Sequence, residues 1–391
     1  MKRIAATIAA SVVALSACQE PAAPNRQQPP ETGPVFAQQL NNKDVIPGQY
    51  IVVFRDDVDA DATSEKLLRK FNAKSKYKYS AALKGFASEL SDAQVEALRD
   101  EPEVAYIEED QVVNATATQT APGYGLDRID ERALPLSGSY TYTATASAVR
   151  AYIIDTGIQT SHSQFGGRAS AVYDAFGGNG QDCNGHGTHV AGTVGSATYG
   201  VAKAVLLRGV RVLDCNGSGA NSGVIAGINW VATNRIAPAV ANLSLGGGFS
   251  QATNDAINNL ANRGVFVAVA AGNENQNACN VSPASATNAT TVAASTSTDA
   301  KASYSNFGSC VELYAPGSSI KSTWLNGGTN TISGTSMASP HVAGVGALYK
   351  ATFGDASFST IRTWIINNST ANVITGNVTG TPNKLLYKST L

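Results

Sequence analysis

Between residues 150 and 295 the chain gathers short unbroken apolar runs and separates them with stretches of helical spacing. The runs are 151–154, 205–213, 240–245, 265–271 and 290–294, and helical patterns fill 221–234 and 251–263. A strand with one wet face alternates apolar and polar residues; a strand buried on both faces does not. Unbroken strands separated by helices therefore predict an α/β domain in three layers, with a mainly parallel central sheet covered on both faces.

The segment before this domain follows another pattern. Residues 49–54 read as a strand, and 60–72 have helical spacing with Leu67, Leu68 and Phe71 on one face. A strand passes through Phe86, a helix runs over 91–100 behind a Ser-Asp cap, and 104–107 is a further strand. Residues 47–113 thus form a small α+β unit of strand–helix–strand–helix–strand order. The Thr/Ala/Gln stretch 114–121 has no periodicity and marks a boundary. No internal repeat is evident.

Charged residues make up only 15% of the 391, and the net charge is −1, which excludes a simple electrostatic grip on nucleic acid or anionic membrane. Lys2 and Arg3 precede a 14-residue apolar stretch, Ile4 to Ala17, too short to span a bilayer and suited to a signal segment. It ends Leu15-Ser16-Ala17-Cys18, which resembles the cleavage box of bacterial lipoproteins, where the Cys is lipidated. We therefore expect a signal peptide over 1–18, a possible lipid anchor for the precursor on Cys18, and a Pro/Gln-rich linker over 19–46. With Cys18 set aside, Cys183, Cys215, Cys279 and Cys310 remain. An even number in an exported chain suggests two disulfides, and the residues themselves leave three connectivities open.

The chemistry-bearing residues concentrate in three blocks. Asp155-Thr156-Gly157 closes an apolar run with an acid. Gly185-His186-Gly187-Thr188-His189 and Gly334-Thr335-Ser336-Met337-Ala338-Ser339-Pro340-His341 carry three of the four histidines. A serine hydroxyl attacks well only when a histidine takes its proton and a carboxylate orients that histidine. Asp155, His186 and Ser336 occur in the acid–base–nucleophile order that distinguishes one of the three convergent serine-hydrolase arrangements. His189 and His341 are expected to be structural, and His162 to lie at the surface.

These blocks resemble those of subtilisin-like serine proteases (subtilases), within them the proteinase K-like branch and its aqualysin type. The likeness spans about 117–387, and 47–113 resembles the family's inhibitor-type propeptide, a small ferredoxin-like domain. The resemblance implies a secreted serine endopeptidase that cleaves protein and peptide substrates through an acyl-enzyme. It implies Ser336 as nucleophile, His186 as general base and then acid, Asp155 as the orienter of His186, and Asn273 as oxyanion donor beside the Ser336 backbone N–H. Asn216, Gly217, Ser218 and Gly219 resemble one substrate-binding strand, and Ser244, Leu245, Gly246 and Gly247 the facing one. Glycine there lets a peptide pair as an added strand, which reads no side chains and makes specificity broad. Ala270, Ala271 and Gly272 resemble a pocket wall suited to apolar or aromatic side chains.

The family pairing would be Cys183 with Cys215 and Cys279 with Cys310. Structural calcium is implied at Thr287, Ala289 and Glu312, with Glu in place of the family's Asp, and a second site at Asp127, Asp130 and Glu131, whose later positions Ser137 and Ser139 are not acidic. For those acids a helix start is the competing role. No cofactor is expected for the chemistry itself. The enzyme is expected to act as a monomer, with its own propeptide as intramolecular inhibitor, and to cleave itself near Thr116–Ala117, leaving 117–391 as the catalytic domain.

Overall fold

The computed structural model describes residues 45–115, 118–119 and 124–391. The signal segment with Cys18, most of the 19–46 linker and the Thr116–Ala117 bond lie outside the described residues.

The N-terminal unit contains β1 (Val45–Phe54), α1 (Ala60–Lys70), β2 (Ser75–Tyr79), β3 (Gly85–Glu89), α2 (Asp92–Arg99) and β4 (Val104–Ala115). Its strands are antiparallel in the order β4-β1-β3-β2, the ferredoxin-like arrangement. The sequence reading missed β2, an edge strand whose two tyrosines alternate with lysines. Asp59 caps α1 through Ala62 N at 2.8 Å, and Ser91 with Gln94 closes a capping box on α2. Side chains alternate along β1: Val52 and Phe54 join Leu67, Phe86, Leu98 and Ile107 in the unit's own core. Ile51 and Val53 face the other way and join the core of the next domain.

The second domain follows with β5 (Thr118–Gln119), α3 (Gly125–Asp130), β6 (Arg150–Asp155), β7 (Ala169–Asp174), α4 (His186–Gly195), β8 (Leu206–Arg211) and β9 (Ser218–Ala220). Then come α5 (Asn221–Asn234), β10 (Ala239–Leu243), β11 (Leu245–Gly248), α6 (Gln251–Asn262), β12 (Phe266–Ala270) and β13 (Val281–Ser282). The last part holds β14 (Thr290–Ser295), β15 (Leu313–Pro316), β16 (Ile320–Thr323), β17 (Thr329–Ser333), α7 (Thr335–Phe353), α8 (Phe358–Asn368), β18 (Thr370–Ala371) and β19 (Lys384–Leu385).

The central sheet runs β18-β19-β15-β14-β12-β10-β6-β8-β7 and is parallel except at β18–β19. Every residue of β10, β12 and β14 is buried, which is why their sequences lack alternation. Helix α7 lies across β10, β12 and β14 and packs on α4, while α5 and α6 pack on each other. Asp155 thus ends a strand in the middle of the sheet, and His186 and Ser336 each begin, or nearly begin, a helix that packs on the other's helix.

Cys183 pairs with Cys215 and Cys279 with Cys310, at Cα separations of 4.9 and 5.3 Å. Among the described residues no helix is long and apolar enough to cross a membrane.

Candidate active site

His186 Nδ1 lies 2.7 Å from Asp155 Oδ1, with both side chains buried. Gly187 makes this approach possible: a Cβ there would stand 2.2 Å from the Gly157 carbonyl oxygen. Thr156 Oγ1 accepts from Gly187 N at 2.9 Å, tying the end of β6 to the first turn of α4.

One carboxylate that the sequence reading passed over organises this corner. Asp182 accepts from Thr156 Oγ1, Asn184 N, Gly185 N, Thr188 N and Thr188 Oγ1 at 2.6–2.9 Å. It caps the helix that carries His186 and grips the residue beside Asp155. Its signal was local: an acid four residues before His186, in Asp182-Cys183-Asn184-Gly185, reads as a turn former.

Ser336 is the second residue of α7, and Pro340 explains its surroundings. A proline at this position has no N–H to give the carbonyl four residues back. The Ser336 carbonyl instead accepts from Ser244 Oγ at 2.7 Å, and Ser336 Oγ donates to Ser244 O at 3.2 Å. Ser244 Oγ also accepts from Asn242 Nδ2 at 2.8 Å, and Ser339 Oγ donates to Asn242 Oδ1 at 2.7 Å. The serine that resembles the nucleophile is therefore held by the strand that resembles a substrate-binding wall.

Asn273 Oδ1 accepts from Thr335 N and Thr335 Oγ1 at 2.8 and 2.9 Å. That fixes the amide, with Nδ2 as its donor end. The turn itself rests on buried Asn306, which donates to the Ala271 carbonyl at 2.9 Å and accepts from Glu274 N and Gln276 N. Gly272 has φ +97, and a Cβ on it would meet Asn306 at 2.3 Å. Ala270 closes β12 and Ala271 follows it, both buried beside this turn.

The cleft strands are occupied by the chain's own β4. Val112, Val113 and Asn114 pair antiparallel with Ala220, Gly219 and Ser218 on β9. On the other side Asn114 and Ala115 pair with Gly246 and Leu245 on β11. Beyond the undescribed residues 116–117, Thr118 and Gln119 pair with Ser333 and Ile332 on β17, just before Ser336. Gly247 pairs outward with Ser282 on β13. Asn216 and Gly217 depart from the expectation: they sit in a turn closed by Asp214, whose Oδ1 accepts from Asn216 N and Ser218 N, and only Ser218 and Gly219 pair with β4.

Two carboxylates of the N-terminal unit cap helices of the second. Glu108 accepts from Ser250 Oγ and from Ala252 N at the start of α6, and Asp110 accepts from Ser222 N at the start of α5. Burial pushes Glu108 up to about 7, against the downward pull of its bonds from Ser250 and Ala252, while the carboxylates of Asp255 and Asp110 push it further up.

The remaining histidines are structural. Burial lowers His189 to about 3 and His341 to about 4, so both are neutral. His189 Nε2 bonds the Ile320 carbonyl and His341 Nδ1 the Met337 carbonyl. His162 corrects the sequence reading: it is 3% exposed, accepts from Gln164 N, bonds the Gly328 carbonyl and packs on Phe165. Both ring nitrogens are satisfied internally, and that makes burial affordable.

The calcium positions do not fit a divalent cation. Thr287 and Glu312 do come together, through Arg362. However, the Thr287 carbonyl accepts from Arg362 Nη1 at 2.8 Å, and Glu312 Oε1 lies 3.9 Å from the same nitrogen. Glu312 Oε2 accepts from Thr291 N at 2.6 Å. Asp127 accepts from Ser137 Oγ and Gly138 N; Asp130 accepts from Thr141 and pairs with Lys388 Nζ at 2.8 Å. These acids close the loop over 131–141 onto α3 and do not serve as its helix-start charges alone, while Glu131 caps the helix end and accepts from Arg128 through its carbonyl. Among the described residues no group of three or more His, Cys, Asp or Glu side chains converges on one point.

The sheet, the Asp155–His186 pair and the serine at the head of a buried helix are the parts that a serine peptidase requires. Comparison with known proteins gives the same class. The subtilase family model matches residues 148–385, and a peptidase inhibitor I9 model matches 49–116. The chain belongs to the subtilase family. It is 48% identical to the extracellular serine proteinase of Thermus sp. (strain Rt41A), over 99% of both chains. It is 46% identical to alkaline serine exoprotease A of Vibrio alginolyticus, over 93% of this chain and 72% of that protein. A crystal structure of a cold adapted subtilisin-like serine proteinase is 50% identical and superposes with a TM-score of 0.67, covering 69% of this chain and 99% of that one.

Proposed function

We propose that this chain is the precursor of a secreted serine endopeptidase that first cuts itself after Thr116. The observation that carries the reading is β4 seated between β9 and β11 as a substrate strand, with β5 on β17 beyond it. Ala115 and Thr118, which flank the 116–117 bond in the chain, pair with Leu245 and Ser333. The name of the Thermus relative, an extracellular serine proteinase, supports secretion. If Cys18 carries a lipid, that lipid stays with the released pro-part and the catalytic domain leaves the membrane. A Cys18→Ser precursor should then lose its partition into detergent, and unchanged partition would refute the anchor.

His186 takes the Ser336 proton as Oγ attacks the substrate carbonyl. Asp155 holds the imidazole through Nδ1 and stabilises the imidazolium. The oxyanion forms against Asn273 Nδ2 and the Ser336 backbone N–H, where no reorganisation is needed. His186 then gives its proton to the leaving amine, an acyl-Ser336 forms, and water attacks by the same route. Substrate grip by Ser218, Gly219, Leu245 and Gly246 is through main chain, which supports broad specificity. The small residues Ala270, Ala271 and Gly272 support a preference for apolar or aromatic side chains.

The test is labelling of the purified enzyme, freed of its pro-part, with a fluorophosphonate, alongside hydrolysis of a protein substrate. One adduct on Ser336 and loss of hydrolysis in proportion to labelling are expected. Hydrolysis that survives full labelling, or an unlabelled and inactive protein, would overturn the reading.

A further inference from the structure

We propose that Arg362 is a built-in cation that takes the place of calcium between Thr287 and Glu312. The geometry is that of a cation site filled by a side chain. Arg362 projects from α8, packs over the Phe358 ring at 4.9 Å, and brings Nη1 to the Thr287 carbonyl at 2.8 Å and toward Glu312 Oε1 at 3.9 Å. A calcium ion needs these same oxygens at about 2.3–2.6 Å. A guanidinium nitrogen along the carbonyl's bonding direction excludes it by contact and by like charge.

The carboxylate is changed in the same sense. Glu312 is buried, and its longer arm lets one oxygen accept from Thr291 N at 2.6 Å while the other turns to Arg362. A guanidinium is weakly hydrated and suits a partly buried pair of this kind better than an ammonium does. The result ties α8 to the loop before β14 and to the start of β15, without an ion taken from solution. Lys388 against Asp130 repeats the device at the other expected position.

The experiment uses the catalytic domain blocked at Ser336 to prevent self-digestion. Calcium binding is measured by calorimetric titration, and thermal unfolding is followed in EGTA and in millimolar calcium. The proteins are wild type, Glu312→Gln, Arg362→Gln and the double variant. In EGTA each single variant should unfold several degrees lower, and the double variant should lose less than the sum, because the two side chains stabilise each other. Glu312→Gln should leave the number of bound calcium ions unchanged. Arg362→Lys, which keeps the charge, should recover part of the loss and shows that the site tolerates substitution. The proposal is overturned if Glu312→Gln removes a calcium-binding event, or if the two losses simply add in EGTA.

Discussion

The two domains are held by different means, and the contrast shows which of them leans on the other. The N-terminal unit packs one small cluster around Val52, Phe54, Leu67, Phe86 and Leu98. Its Arg55–Asp57 and Arg99–Glu96 ion pairs are exposed and contribute about 0–1 kcal/mol each. The other face of its sheet, with Ile51, Val53, Tyr79 and Ala87, is buried only against its partner. The catalytic domain has a core running through the whole central sheet, two disulfides, and buried pairs such as Arg128–Asp299. A unit of this small size is marginal alone. It holds its place by lending β4 and two helix caps.

The sharpest way to break this comparison is at the nucleophile. Ser336→Ala should lower kcat by about 10⁶-fold and leave both domains folded and joined, as circular dichroism and peptide hydrolysis would report. Asn273→Ala should cost roughly 10²–10³ in kcat with little change in KM. A mainly raised KM would instead place Asn273 in substrate binding.

Stability should separate the domains next. Removing the Cys183–Cys215 bridge opens a loop of 32 residues, worth ~3–4 kcal/mol in the loop-entropy model. Paired Cys→Ser substitution should lower the unfolding temperature of the catalytic domain and leave the isolated pro-part untouched. An unchanged unfolding temperature would remove the disulfide from the comparison.

The grip between the domains should depend on pH. Burial raises Glu108 in the complex to about 7 from a usual 4.5, so the complex holds a proton that the free pro-part has already lost. Binding is then tightest below the free value and weakens as pH rises between the two, by roughly a hundredfold. Glu108→Gln should flatten that slope in titrations of the isolated pro-part onto Ser336-blocked enzyme. Affinity that rises with pH would show that the charged cap dominates.

The central strands were legible because burial on both faces leaves unbroken apolar runs, as at 151–154 and 265–271. The Asp155–His186 pairing was legible because glycine and histidine crowd where backbones must approach closely, as at Gly187. The rest was hidden by distance in the chain. Asp182 looks like any turn acid until Thr156 and Thr188 are seen to converge on it. Arg362 looks like a solvent-facing residue of α8 until its carbonyl and carboxylate partners, some 75 and 50 residues earlier, appear beside it. His162 reads as surface because its satisfying partner, Gly328, lies 166 residues on.

The most direct test of the account is the intact mass of the protein made as wild type and as Ser336→Ala. Wild type should appear as two fragments divided between Thr116 and Ala117, and the Ser336→Ala protein as one unbroken chain through that bond. Cleavage of the Ser336→Ala protein at the same bond, or division of the wild type elsewhere, would contradict the reading of β4 as the enzyme's first substrate.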